Sequence, residues 1–201
     1  MENRSFKYLP LGDSYTIGEG ISNDLNFPSV LVKELLNQNI HLEIPINPAV
    51  TGYTTKNLID KELYLLNELK IDFCTLLIGV NDWVQGVSKL EYEINLKYIL
   101  NQIKSSVCKK CILITIPDFS ISKEGYKYAR GRNISEGIYE FNQVLIGLAN
   151  TYQFDLVDIF ELSQKQVDDT YFAEDRLHPS AKSYKQWVAK MLPIAYKLII
   201  S

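Results

Sequence analysis

Histidine is scarce in this chain: His41 and His178 are the only two in 201 residues. That excludes a histidine-rich metal site and leaves few candidates wherever a base near neutral pH is needed. Cysteine is scarce as well, and its number, three, is odd, which argues against a disulfide framework. No segment reaches the roughly 18 apolar residues of a membrane span. The net charge is only -3, so nucleic acid is not expected as a partner. No charged and apolar leader is legible ahead of Phe6, where the first strand is expected. The expected location is therefore cytoplasmic, or secreted if a signal was trimmed. No repeat, low-complexity tract or linker divides the chain, so residues 1–201 are expected to form one domain.

Apolar residues are plentiful, 46% of the total, enough for a full core. Cys74 sits in the apolar run FCTLLIGV and reads as a core residue. CKKC, from Cys108 to Cys111, has the spacing of a redox or metal pair, but it precedes a strand where a redox pair normally opens a helix. Neither His41 nor His178 is placed to complete a zinc site, so no metal is expected.

The apolar runs alternate with stretches of helical period. Strands are predicted at 6–11, 41–46, 73–78, 112–116 and 154–159, and helices at 29–37, 55–69, 91–103, 135–151 and 180–200. The second strand alternates, with Leu42, Ile44 and Ile46 on one face, and Pro45 marks it as an edge. The third and fourth are continuously apolar, as strands buried on both faces are. Pro10 sits awkwardly in a first strand that is expected to be central, and Pro193 is expected to bend the last helix. Strand–helix alternation with short connections predicts an α/β fold with a mostly parallel sheet and helices on both sides. In such sheets ligands bind outside the carboxyl ends of the strands.

Several polar groups fall at those ends. LGDSYT puts Ser14 just past the first strand, where it is either a helix cap or an exposed nucleophile. It is not a P-loop, because no Lys-Ser/Thr follows the glycines, nor a G-x-S-x-G elbow, because Thr16 replaces the second Gly. DRLHPS places Asp175 three residues before His178: a carboxylate to fix the imidazole and an imidazole to take a hydroxyl proton, or else a capped surface loop. Asn81, after the third strand, offers an amide to a developing oxyanion or simply caps a turn. Gly52, in NPAVTGYTT, offers a bare backbone N–H or is a plain turn.

Together GDSYT, Gly52, GVND and DRLHPS resemble the ordered blocks of the SGNH hydrolases, the GDSL-type esterase and lipase superfamily. TIPDFS at 115–120 and YKQW at 184–187 are also similar to that family, and the match spans nearly the whole chain. The resemblance implies that Ser14 is the nucleophile, His178 the base and Asp175 its orienter, with an oxyanion hole of the Ser14 N–H, the Gly52 N–H and the Asn81 amide. Asp13 would be structural. It further implies a flavodoxin-like three-layer α/β/α sandwich with five strands in the order 2-1-3-4-5, and no cofactor. Tyr15 stands where the family name has Leu.

Trp83 is expected either at the pocket edge or in the core. The basic stretch 120–133, with Lys123, Lys127, Arg130 and Arg132 among Tyr126 and Tyr128, is either a lid or, more simply, a solvated loop. Arg130 or Arg132 would pair with an anionic substrate group if it were a lid. The leading function is hydrolysis of a small-molecule carboxylic ester. The alternatives are carbohydrate O-deacetylation by the same residues and a non-catalytic binding module on the same fold.

Overall fold

The computed structural model describes residues 5–106, 108 and 110–201. Five strands form one sheet: β1 (Ser5–Gly12), β2 (His41–Glu43), β3 (Phe73–Leu77), β4 (Cys111–Ile114) and β5 (Asp155–Val157). Their order is β2-β1-β3-β4-β5, and every neighbouring pair is parallel. Between them run α1 (Ser14–Ile17), α2 (Phe27–Leu36), α3 (Thr55–Lys61), α4 (Leu65–Glu68), α5 (Val80–Gln85), α6 (Lys89–Ser105), α7 (Ile134–Tyr152), α8 (Phe160–Gln164) and α9 (Ala181–Ile200). Right-handed crossovers put helices on opposite faces when the winding reverses direction. Accordingly α2, on the way to β2, packs with α9, while α6 packs with α3 and α7 on the way outward to β5. The three-layer fold and the strand order agree with the expectation.

The continuous apolar runs of β3 and β4 are buried along their whole length, as interior parallel strands must be. Cys74, Cys108 and Cys111 are free and buried, with Cys74 beside Cys111 across the β3–β4 pair. Lys109, inside the CKKC stretch, lies outside the described residues.

Pro10 is accommodated by register. Backbone N–H groups point alternately to either side of a strand. The Gly12 N–H bonds Glu62 instead of a strand, on the side where β2 has already ended at Glu43. Pro10, two residues earlier, turns its nitrogen to the same unpaired side, so no ladder bond is lost.

Four elements differ from the expectation. β2 stops at Glu43 instead of 46, because Pro45 cannot extend the ladder. β4 stops at Ile114, and the buried Asn142 side chain takes over both backbone groups of Ile116, at 2.8 Å each. β5 shortens to three residues. The helix predicted over 55–69 breaks into α3 and α4 at Glu62, whose side chain is fully buried. The last helix continues through Pro193.

Candidate active site

The site lies at the carboxyl ends of the strands, around the β1–β3 pair where the winding reverses. The last residue of β1 is Gly12, where nothing larger fits: a Cβ there would collide with the Thr16 hydroxyl and the Leu77 carbonyl. Asp13, not Ser14, caps the short helix that follows, its Oδ1 accepting the Tyr15 N–H at 3.0 Å. That leaves the Ser14 hydroxyl free at the first helical position. The side chain is nearly buried and still lines a cavity.

The loop from Ala173 to Ser180 is a closed turn. The Ala173 N–H donates to the His178 carbonyl at 2.8 Å, and the Ser180 N–H to the Tyr171 carbonyl at 2.9 Å. Arg176 adopts a left-handed conformation at the turn's tip. Asp175 Oδ1 accepts the N–H groups of Leu177 and His178, at 2.9 and 3.0 Å. Its other oxygen, Oδ2, lies 2.5 Å from His178 Nδ1. On the far side of the ring, His178 Nε2 is 3.1 Å from Ser14 Oγ. The Tyr15 ring packs edge-on against the imidazole, with centroids 5.9 Å apart. Burial alone would raise the Asp175 pKa. The hydrogen bonds from His178 and the two backbone N–H groups outweigh it and hold the carboxyl below its usual value. A charged carboxylate on Nδ1 keeps that nitrogen protonated and leaves Nε2 to accept from the serine.

Gly52 and Asn81 face the same cavity as Ser14. Gly52 holds a φ of 86°, a left-handed conformation that a side chain would strain. Thr51, beside it, donates its hydroxyl to Glu19 and so ties this loop to the segment after α1. Asn81 Nδ2 donates to the Tyr53 carbonyl at 2.9 Å. An amide nitrogen carries two hydrogens, so a second donor remains for an oxygen in the cavity. Asp82 is turned away and buried, accepting from the Thr55 N–H at 2.8 Å and the Thr55 hydroxyl at 2.5 Å. The two residues of the Asn-Asp pair thus divide: one faces the site, the other anchors α3.

Trp83 takes the core alternative. It is 5% exposed, packs against Phe119, and is covered by the Arg132 guanidinium 4.0 Å from its ring centroid. Arg132 also donates to the carbonyls of Trp83 and Val84, at 2.6 and 3.0 Å, closing the end of α5. It is therefore a structural clamp and not a receptor for a substrate anion. Lys123 pairs with Asp169 and Lys127 with Glu124, while Arg130 is exposed. One residue of the 120–133 stretch does reach the site: Tyr128 lines the cavity, together with Tyr15, Thr51, Val84, Phe119 and Leu177. Tyr128 was named only within the lid alternative, and Tyr15, Val84, Phe119 and Leu177 were not singled out as pocket residues from the sequence, because their types are equally common in any core or loop.

The cavity measures about 190 Å³, below the range of roughly 300–1,000 Å³ usual for drug-sized ligands. A larger open groove of about 730 Å³ runs along α6 and α7, away from Ser14 and His178. Among the described residues no cluster of three or more His, Cys, Asp or Glu is placed to hold a metal.

A hydroxyl, an imidazole and a carboxylate in one hydrogen-bonded row, at the carboxyl edge of a parallel α/β sheet, belong to the serine-hydrolase class of ester-cleaving enzymes. The chain is a member of the GDSL-like lipase/acylhydrolase family, whose family model matches residues 11–186. It is 26% identical over 189 residues to an arylesterase of Vibrio mimicus, covering 94% of this chain and 86% of that protein. The crystal structure of TesA superposes with a TM-score of 0.77 at 20% identity, covering 96% of this chain and 99% of that one. A family 3 carbohydrate esterase of Clostridium thermocellum superposes with a TM-score of 0.75 at 19% identity, covering 98% and 100%. Among the described residues no helix is long and apolar enough to cross a membrane.

Proposed function

We propose that residues 1–201 act as one hydrolase domain that cleaves small carboxylic esters through an acyl-enzyme on Ser14. The observation that carries this is the row Ser14–His178–Asp175, with 3.1 Å and 2.5 Å between its polar atoms, opening into a small cavity. His178 Nε2 takes the hydroxyl proton as Ser14 Oγ attacks the carbonyl carbon. Asp175 holds the imidazole in place and stabilises the imidazolium. The Ser14 N–H, the Gly52 N–H and the second N–H of Asn81 donate to the oxyanion. His178 then returns the proton to the leaving alcohol. In the second half-reaction it activates water against the acyl-enzyme, which releases the acid and regenerates Ser14.

The small cavity, walled by Phe119, Tyr128, Val84 and Leu177, favours a short acyl group. A carbohydrate O-deacetylase would use the same residues and the same acyl side. Turnover of p-nitrophenyl esters of rising chain length, measured beside acetylated sugars, tests the reading. A steep loss of kcat/KM beyond the shortest chains supports it. Preference for acetylated sugar over the phenyl acetate moves the assignment to the deacetylase. Failure to cleave any ester, with no labelling of Ser14 by a phosphonate, overturns both in favour of a binding module.

A further inference from the structure

Beneath Ser14 the protein buries three carboxyl groups, Asp13, Glu62 and Asp82, each 0% exposed. None of the ion pairs among the described residues involves any of them. Asp82 is satisfied by Thr55 through both oxygens. Asp13 and Glu62 are each satisfied on one side only. Asp13 Oδ1 accepts from Tyr15, and Glu62 Oε2 accepts the Gly12 N–H at 3.0 Å. Among the described residues, Asp13 Oδ2, Glu62 Oε1 and the Thr16 hydroxyl have no partner.

The Gly12 N–H is the last backbone donor before the turn that carries Ser14. It points to the side of β1 where β2 has ended, so no strand can accept from it. A buried backbone donor needs an acceptor, and the Glu62 side chain supplies it where α3 breaks off. The three unpartnered oxygens, in turn, need donors. Two of the phenols facing Asp13 are already committed, Tyr92 to the Ile78 carbonyl and Tyr184 to the Tyr15 carbonyl, and among the described residues the buried Trp187 N–H is itself without a partner. Thr16 has one hydroxyl hydrogen to give, and two bare carboxylates would have none. Two unpaired charges side by side in a dry interior would also be costly. Keeping these carboxyls protonated removes that cost.

We propose that Glu62 is a positioning residue for Ser14: as a neutral carboxylic acid it accepts the Gly12 N–H and so fixes the turn that presents the serine. This rests on the assignment of Ser14 as nucleophile. Burial pushes the Glu62 carboxyl up to about 9 and that of Asp13 up to about 8, and the Asp13 carboxyl adds to the rise at Glu62. The other groups facing Asp13 are Asp82 from α5 and the phenols of Tyr15, Tyr92 and Tyr184 from α1, α6 and α9, all acidic or neutral. None favours ionisation of the pair.

The test compares wild type, Glu62→Gln, Glu62→Leu and Ser14→Ala in p-nitrophenyl acetate hydrolysis from about pH 6 to about pH 10. Melting temperature and the infrared band of protonated carboxyl groups are measured on the same preparations. Gln keeps an acceptor for Gly12 and places an N–H₂ where the acid has its O–H, so its kcat at neutral pH should stay within about threefold of wild type. Leu removes both and should lower kcat on the order of 10²-fold with little change in KM, the scale of a small misplacement of a reacting group. Wild type should lose activity as the acid ionises near pH 9, and Gln should not. The protonated-carboxyl band at neutral pH should lose the Glu62 contribution in Gln and keep that of Asp13.

Wild-type turnover in Leu, a Gln variant as impaired as Leu, identical alkaline profiles for wild type and Gln, or a band unchanged by Gln would each overturn the proposal. Should Leu fail to fold, the profile and band of Gln decide alone. An inactive wild type that no phosphonate labels at Ser14 overturns the nucleophile assignment and positioning with it. Normal labelling with indifferent Glu62 variants overturns the positioning role only.

Discussion

His178 Nε2 lies 3.1 Å from Ser14 Oγ, although 164 residues separate them in sequence. Each is delivered by a short, internally bonded turn: Ser14 by the Asp13-capped helix after β1, His178 by the loop closed between Ala173 and Ser180. The pair needs no rearrangement to pass a proton.

In the proposed mechanism, replacing Ser14 by Ala removes the acceptor of the acyl group. Turnover should fall on the order of a millionfold, the scale for losing a serine nucleophile. Folding should survive, because among the described residues the one side-chain partner of the hydroxyl is His178. Ester turnover, melting temperature and phosphonate labelling of the two proteins check this together.

Asn81→Ala should act on two quantities at once. Losing one oxyanion donor lowers kcat by about 10²–10³ with KM little changed. The Tyr53 carbonyl also loses its donor, which costs about 1 kcal/mol of stability. Turnover per folded molecule, measured beside the melting curve, separates the two. Normal turnover in a destabilised variant would remove Asn81 from the mechanism.

Asp175→Asn keeps the shape of the loop and loses the charge that sets the imidazole. In other serine hydrolases the equivalent change costs about 10⁴ in turnover. The wild-type carboxyl is held below its usual value, so its contribution to stability is complete above the unfolded value and is lost as pH falls through the lowered one. Acid unfolding should therefore shift in Asp175→Asn relative to wild type, while melting at neutral pH changes less than turnover does.

The buried acids Asp13 and Glu62 have the opposite sign. Their native values of about 8 and about 9 exceed the roughly 4 of an unfolded chain. Between those limits the native state binds more protons than the unfolded state, so stability falls as pH rises. The melting temperature should decline from about pH 5 to about pH 9, and Glu62→Gln should flatten part of that decline. A wild-type melting temperature constant across this range would contradict it.

Arg132→Lys tests the clamp on α5. Lysine cannot reproduce two carbonyl contacts and the ring stacking together, so a loss of about 1–3 kcal/mol is expected. Val84, one of the clamped residues, lines the cavity, so KM should rise as well. Melting and steady-state kinetics on the same preparation check both.

Much of this was legible in the chain. Period-2 and period-3.6 patterns placed strand and helix, because burial on one face leaves a trace in the residues themselves. Pro45 marked the edge strand. With only two histidines present, His178 was the one with a neighbouring carboxylate in a loop, and four short blocks in order resembled one family. The local order of the site, Asp175 before His178 and Gly-Asp-Ser after a strand, was written in adjacent residues.

Tertiary structure decided what depends on partners distant in sequence. A continuous apolar pattern over 55–69 predicts one helix, and only the buried Gly12 N–H across the fold makes sense of Glu62 at the break between α3 and α4. Trp83 was equally at home in a pocket or a core until Arg132, 49 residues on, covered its ring. Phe119 and Tyr128, from the β4–α7 connection, and Leu177, from the loop before α9, became cavity walls because those two loops meet there. Periodicity reports which face of an element is buried and carries no information about what it is buried against. A sequence therefore specifies its elements and their order directly, whereas the environment of each side chain exists only once the sheet has brought its loops to one edge.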